Sequence, residues 1–569
     1  MRIMLFGRTV LWTQAVLLLV SGIAAAQPRP DGGQILRDIE RSTPGQTGPG
    51  LAPRRIAPAE TPLPSTSDKT ILVRGFLVRS ERFSQEVFDE LLKDLVDRQL
   101  TLAQIEAAAR RVSQYFRDHD LIATAYVPRQ TVRDGIVRIV VVEAKVGKVR
   151  TDVNTAVRLD PDLASRMVAR RVPPGEPLRP SQLSEAVTIL SEVPGVKAES
   201  LLEPGAAEGE TDVVLKLEPR PIVSGAVIAD NAGSESTGRN RVLAVATLAS
   251  PFGAGEAVNA TALKTRGTMY GRIGLNLLAG TSAWTVGPYF SVLSYEVGGR
   301  FKNLGLSGTA VTAGLGAAYP LLRSDVASLS FNTSVEHKRF LDYAFDQSSN
   351  RKTIDVASAG LTATLQDGFL GGGRNTLGAT FTLGRLQIGD EAALVSDRNA
   401  AGSQGGYTKL VLNASREQVL TETFSLFAGT QLQLTRDNLD SSEKISAGGQ
   451  DDLRGYPSGE ASGDLGVKTS LELRWQVHEK VRLTGFWDNA MFRQHASPWV
   501  NWEPVTGQAN RVSLNSVGLS SSWAPLDNVT LRGIAAWAVG NNPVRDSSNN
   551  NSDGKRDRAQ AWLQLTVGF

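Results

Sequence analysis

Cysteine is absent from the 569-residue sequence, which excludes disulfide scaffolds, thiolate metal sites, iron–sulfur clusters and cysteine nucleophiles. Histidine is scarce: His119, His337, His478 and His495 lie far apart, with no paired spacing suited to zinc. An excess of one charge is missing too. Lysine and arginine total 61 against 58 acidic residues, a net charge of +3, so the balance does not point to nucleic acid. Beyond the first 26 residues no stretch holds 18 consecutive apolar residues, so any later membrane crossing has to be made by strands. No Ser/His/Asp order with supporting motifs occurs, and Gly371-Gly-Gly-Arg374 falls in a short turn rather than between a strand and a helix, unlike a phosphate loop. The reading is non-enzymatic, with no cofactor and no metal site; the adjacent acids Asp451 and Asp452 read as solvated loop residues.

The N-terminus reads as a secretory signal over residues 1–26. Arg2 and Arg8 form a basic start, Val10 to Val20 is mostly apolar, and Ala24-Ala25-Ala26 offers a small-residue cleavage site. Its removal takes both arginines and brings the net charge to +1. Residues 27–43 contain a short amphipathic helix in which Ile35, Leu36 and Ile39 share one face and Arg37, Asp38 and Arg41 take the other. Residues 44–68 hold Pro44, Pro49, Pro53, Pro58, Pro62 and Pro64 interleaved with Gly45, Gly48 and Gly50, the composition of an extended linker.

Two small α+β modules follow, over 69–147 and 148–220, each ordered β-α-α-β-β. In the first, Ile71 to Phe76 reads as a strand, Ser84 to Leu95 and Thr101 to Arg117 as helices with Ser84 and Thr101 as N-caps, and Ala123 to Val127 and Ile136 to Glu143 as strands. The second repeats the order with Gly147 to Arg150, Pro161 to Arg171, Ser181 to Glu192, Val196 to Leu202 and Thr211 to Leu217.

From about residue 221 to 569 the helical period gives way to alternation. Leu471, Leu473, Trp475 and Val477 face one way, and Ser470, Glu472, Arg474 and Gln476 the other. Val481, Leu483, Gly485 and Trp487 repeat this against Arg482, Thr484, Phe486 and Asp488. Strands read backward at 559–569, 528–538, 511–523, 480–492, 467–477 and 424–436 leave connections of 20, 4, 18, 2 and 30 residues. Long and short alternate, as when one rim of a transmembrane barrel carries turns and the other carries loops. About sixteen strands result, and even parity puts the C-terminus and the two modules on the short-turn side. Every Trp beyond residue 26 lies at or after Trp284, where aromatic girdles belong.

The order of signal, tethered helix, Pro-rich linker, two modules and barrel resembles the outer-membrane transporters of two-partner secretion, the FhaC/ShlB-like group. Local stretches carry the resemblance: Tyr115-Phe116 through Tyr126-Val127-Pro128-Arg129-Gln130 and Asp134-Gly135 at the end of the first POTRA domain; Pro194-Gly195-Val196 and Gly209-Glu210-Thr211-Asp212 in the second; Asp230-Asn231 and Pro251-Phe-Gly-Ala-Gly-Glu256 in the first barrel hairpin; and Leu453-Arg454-Gly455-Tyr456, similar to the Arg-Gly-Tyr/Phe motif of the sixth extracellular loop. Counting strands backward independently makes residues 437–466 that sixth loop. Two departures stand out: Asp120-Leu121 where the family often has Gly and an aromatic residue, and Leu453 where Val is usual.

The resemblance implies a sixteen-stranded barrel, two POTRA domains and a helix that plugs the pore. Arg454 is expected to meet Asp488 within Gly485-Phe486-Trp487-Asp488 as a partly hydrated pair, with Gly455 permitting a tight tip and Tyr456 packing in the lumen. The strand from Val196 to Leu202, beside the helix from Ser181 to Glu192, is the expected substrate surface. Implied partners are a secreted exoprotein of adhesin or haemolysin type with an unfolded N-terminal secretion region, outer-membrane lipid, and the barrel-assembly machinery for the protein's own insertion. The modules would lie in the periplasm. The nearest rival is an assembly factor of the BamA/TamA kind, which usually has more POTRA domains and lacks the helix and Pro-rich linker.

Overall fold

In the computed structural model, residues 30–43, 70–152, 156–500, 502 and 509–569 are described. The expected signal segment and Pro-rich linker lie outside them.

Alternation along the second half of the chain closes on itself. Sixteen antiparallel strands form one barrel, running from Val223–Asp230 to Ala559–Gly568, and these two pair with each other to shut the wall. The period-two faces follow the pleat. Leu471, Leu473, Trp475 and Val477 are exposed on the outside, while Ser470 and Glu472 turn into the lumen beside Asp488. The long connection between Phe424–Thr435 and Leu465–His478 folds inward and makes its own short hairpin, Ile445–Ala447 with Ala461–Gly463.

The helix Gly32–Ser42 lies inside the barrel. Asp31 caps it, its carboxylate accepting the Gln34 N–H at 2.8 Å. Ile35, Leu36 and Ile39 are buried on one side against Leu263, Tyr270, Leu293, Tyr295 and Phe340 of the wall.

Before the barrel stand two α+β units. In the first, the single strand expected from Ile71 to Phe76 is two strands that part at Arg74. Thr70–Val73 pairs with a short strand, Arg98–Thr101, that the sequence reading did not assign, and Gly75–Arg79 runs parallel to Ile136–Glu143. The break occurs where the Arg74 N–H is drawn away to the Gly135 carbonyl at 2.8 Å. Thr101 makes a full capping box with Gln104 at the head of Leu102–Asp118, whereas Ser84 makes no side-chain cap bond to Gln85–Leu92. In the second unit the sheet order is Lys145–Asp152, Glu210–Pro219, Val196–Pro204, which leaves the last strand at an edge.

The units are joined at Asp120. Its φ of +57° is left-handed, which Asp tolerates better than most residues. Its carboxylate accepts both the backbone N–H and the hydroxyl of Ser181. Asp therefore does more here than Gly could: it makes the turn and caps Pro180–Ser191 of the next unit. That unit in turn sits on the short-turn rim of the barrel. Asp160 N–H reaches the Gly253 carbonyl at 3.1 Å, and Arg323 pairs with Glu192 at 2.5 Å.

Candidate functional site

The candidate site occupies the lumen, where the inward loop and the helix meet the wall. Arg454 stands at the loop tip. Its Nε and Nη2 donate to both carboxylate oxygens of Asp488 at 2.9 and 2.6 Å, and its backbone N–H adds a third bond at 3.1 Å. Nη1 donates to Glu472 at 2.7 Å, Nη2 also to Ser470 Oγ at 2.9 Å, and the guanidinium lies 3.5 Å from the centre of the Phe486 ring. Ser470 and Ser516 hydroxyls complete the Asp488 shell. Bidentate pairing and stacking of this kind need the planar fork of arginine. Arg454 is only 3% exposed and Asp488 2%. The partly hydrated pair expected from sequence is therefore a buried one, because Leu453, Tyr456 and the wall residues Phe492, Val512 and Leu514 pack around the tip.

Gly455 has a different reason from the one expected. Its backbone is not left-handed. A Cβ there would stand 2.6 Å from the Ser516 Cβ and 2.8 and 2.9 Å from the backbone of Trp537 and Ala538. The glycine lets the tip approach the wall, rather than letting the chain turn. Gly485 faces outward, one residue from Phe486, and touches neither Arg454 nor the lumen helix.

Sequence reading missed Trp562. Its place in the alternation, between Gln560 and Gln564, was the available signal, but Trp was assigned to the girdles. Trp562 is buried in the lumen and donates its indole N–H to the Arg454 carbonyl at 2.8 Å. It also missed Asp452, read as a solvated acid. Asp452 accepts from Arg41 of the helix at 3.0 Å and from Lys468 of the wall at 2.8 Å, and Asp451 pairs with Arg532 at 3.1 Å. These acids hold side-chain cations, and among the described residues no group of three or more His, Asp or Glu is placed to hold a metal.

Lumen-helix contacts divide by chemistry. The apolar face meets the wall, as above. The polar face meets the loop: Arg37 donates to the Ser441 carbonyl at 2.6 Å, and Arg41 to the Ser446 and Gly448 carbonyls. At the helix start, Lys352 reaches Asp31 at 3.3 Å and Asp440 at 2.7 Å. Gly32 and Gly33 allow this approach, since a Cβ on Gly33 would stand 2.5 Å from Ser441 Oγ. Further along the loop, burial raises the pKa of Glu443, but Lys338 and Lys409, 3.0 and 2.7 Å away, outweigh it and hold the carboxyl down at about 2. A cavity of about 460 Å³ remains between helix, loop and wall, lined by Gln34, Asp38, Arg41, Thr268, Gln431 and Lys468 among others.

On the second module, the edge strand Val196–Pro204 is partly covered. Ser191 Oγ donates to the Ala198 carbonyl at 3.1 Å and accepts its N–H at 3.0 Å. Backbone groups alternate in direction along a strand, so Ser200 and Leu202 present the next outward pairs beyond Ala198. Leu201 is 54% exposed beside them.

Comparisons with known proteins agree with this architecture. The family model described as "Haemolysin secretion/activation protein ShlB/FhaC/HecB" matches residues 209–494, half of the chain. A "POTRA domain, ShlB-type" model matches residues 71–144. The heme/hemopexin transporter protein HuxB of Haemophilus influenzae is 26% identical over 510 residues, 86% of this chain and 86% of its own. The outer membrane transporter CdiB of Escherichia coli is 25% identical over 467 residues, 79% of this chain and 75% of its own. The solved structure of CdiB from Escherichia coli matches in fold with a TM-score of 0.67 at 20% identity, covering 99% of this chain and 98% of that one.

Proposed function

Since this chain belongs to the ShlB/FhaC/HecB haemolysin secretion/activation family, and is thus an outer-membrane transporter of two-partner secretion with POTRA domains in the periplasm, we propose that it exports a large exoprotein as an unfolded chain through the barrel lumen, once the helix Gly32–Ser42 has left it. Such transporters work with a secreted partner protein; for this chain we assign a cargo of the adhesin or haemolysin type, entering by an unfolded N-terminal region. The protein's own insertion would rely on the barrel-assembly machinery. The family match and the relatives favour a transporter over an assembly factor of the BamA/TamA kind.

Capture begins at the second module. The outward backbone groups of Ser200 and Leu202, next to exposed Leu201, can add a strand from an unfolded polypeptide with little demand on its sequence. The helix Pro180–Ser191 supplies the floor of the groove. Because Glu192–Arg323 and Asp160–Gly253 hold this module on the rim, the captured segment is delivered next to the lumen mouth.

Two stoppers fill the lumen, and they are held differently. That contrast carries the proposal. The loop tip is fastened to the wall by the buried Arg454–Asp488 pair and by Trp562. The helix is held by three apolar side chains, by hydrogen bonds to loop carbonyls and by the partly exposed Arg41–Asp452 and Lys352–Asp31 ion pairs, all of which can be exchanged for water or for a passing chain. The helix is therefore the part that leaves, and Arg454, Gly455, Tyr456, Phe486 and Asp488 keep the loop in shape along the path. Folding of the cargo outside would pull the chain forward.

The test is surface display of the partner exoprotein, comparing wild type with Arg454→Ala at equal amounts of folded barrel. Loss of display with the barrel present is the expected result; undiminished display would show that the loop tip has no part in export.

A further inference from the structure

The outer wall carries one feature that export does not use. Along four neighbouring strands, Ala313, His337, Asp355 and Arg385 form one outward row, and Leu315, Val335, Ala357 and Leu383 form the row beneath it. Arg339 and Arg351 project from the rows just above. The turn at 323–327 faces the periplasmic module through Arg323, so the opposite ends of these strands, at 344–347, are extracellular. The arginines thus sit at the outer-leaflet edge of the apolar band.

Three observations single out this patch. Arg339, Arg351 and Arg385 are exposed, and among the described residues none makes a side-chain hydrogen bond or an ion pair. By contrast, the cations at the loop tip are tightly paired. Asp355, the one acid in the row, is taken up by His337 at 2.7 Å. From this row downward, the small side chains of Ala313 and Ala357 leave a shallow, open depression of about 750 Å³, bordered above by His337, Asp355 and Arg385 and below by Leu315, Val335 and Leu383, which are themselves exposed to the lipid side.

An apolar slot beneath a cationic rim fits an amphiphile with an acyl chain below and anionic groups above. With strands about 4.8 Å apart and about 3.3 Å per residue, the three arginine Cα atoms fall within about 15 Å, the span of a headgroup carrying more than one phosphate. Guanidinium groups bind phosphate oxygens bidentately. Charges on the lipid face cost little at the interface, so the arginines can stay there until a phosphate pairs them. We propose that this patch, with Arg339, Arg351 and Arg385 above the Ala357 slot, is a seat for a phosphorylated glycolipid of the outer leaflet. It needs only the outer-membrane placement and stands apart from the export mechanism.

Native mass spectrometry of the detergent-purified full chain tests it, with diphosphorylated lipid A, its dephosphorylated form, and inorganic phosphate as a competitor. Wild type is expected to retain the diphosphorylated lipid, to retain the dephosphorylated form about tenfold less, and to be unaffected by inorganic phosphate at equal concentration. Arg339→Gln/Arg351→Gln/Arg385→Gln is expected to lose retention by about tenfold. Ala357→Phe fills the slot while keeping every charge; it should show a similar loss, and it carries the test if the triple variant does not fold. Equal retention in a folded variant, equal retention of the dephosphorylated lipid, or displacement by inorganic phosphate would each overturn the assignment.

Discussion

Trp562 donates its indole N–H to the carbonyl of Arg454 at 2.8 Å, while the Arg454 side chain is bound by Asp488. The last barrel strand thus holds the backbone of the loop tip, and the strand Val481–Arg493 holds its side chain. Trp562→Phe keeps a ring and removes the donor, leaving the carbonyl without that partner at a cost of about 1–3 kcal/mol. Hydrogen exchange across residues 448–458 should accelerate in the folded variant. Unchanged exchange would mean that the bond does not hold the tip.

Arg454→Lys preserves the charge and loses the geometry. A lysine cannot bridge both Asp488 oxygens, Glu472 and Ser470 together, nor stack on Phe486. Breaking one side of a buried pair costs about 3–5 kcal/mol. Export should therefore fall in Arg454→Lys and in Asp488→Asn nearly as far as in Arg454→Ala, with folded barrel still present. Wild-type export by the lysine variant would show that charge alone suffices.

Asp452 joins three elements: the helix through Arg41, the wall through Lys468, and the loop that bears it. Asp452→Asn weakens both pairs. At about 0.2–1 kcal/mol for the partly exposed Arg41 contact, the helix should leave the lumen about 1.4- to fivefold more often, read as open dwell in planar-bilayer conductance. An unchanged open fraction would remove Asp452 from the control of the helix.

Glu443 gives a pH dependence. Its carboxyl, held at about 2 in the folded protein, stabilises the loop above the unfolded value of about 4.3. That contribution is lost as pH falls from there towards 2. Pepsin cleavage within residues 437–466 should rise across this window in wild type, and the rise should be smaller in Glu443→Gln. The same profile in both would assign the change to other groups.

Much of this was legible in the sequence because alternation is a local property. The faces of 470–477 and 481–488, the spacing of loops, and the apolar side Ile35–Leu36–Ile39 could all be read from neighbours a few residues apart. The four-residue strand Arg98–Thr101 is too short for a period to show. The pairing of Asp452 with Arg41 joins residues 411 positions apart, and no local pattern marks it. Parity marked Trp562 as inward; a general association of Trp with membrane interfaces overrode it. Gly455 was read as a turn residue because glycine is more often that, and only the strands packed against it reveal a close approach.

Passage through the lumen after departure of the helix is the central claim, and the absence of cysteine allows a direct test. Gly33→Cys/Ser441→Cys places one thiol pair where a Gly33 Cβ would lie 2.5 Å from Ser441 Oγ, fastening the helix to the loop that Arg454 holds to the wall. Surface display of the exoprotein should stop when the disulfide forms and return when reductant opens it, the reduced double variant serving as the control for crowding at position 33. Undiminished display with the disulfide fully formed would contradict the account.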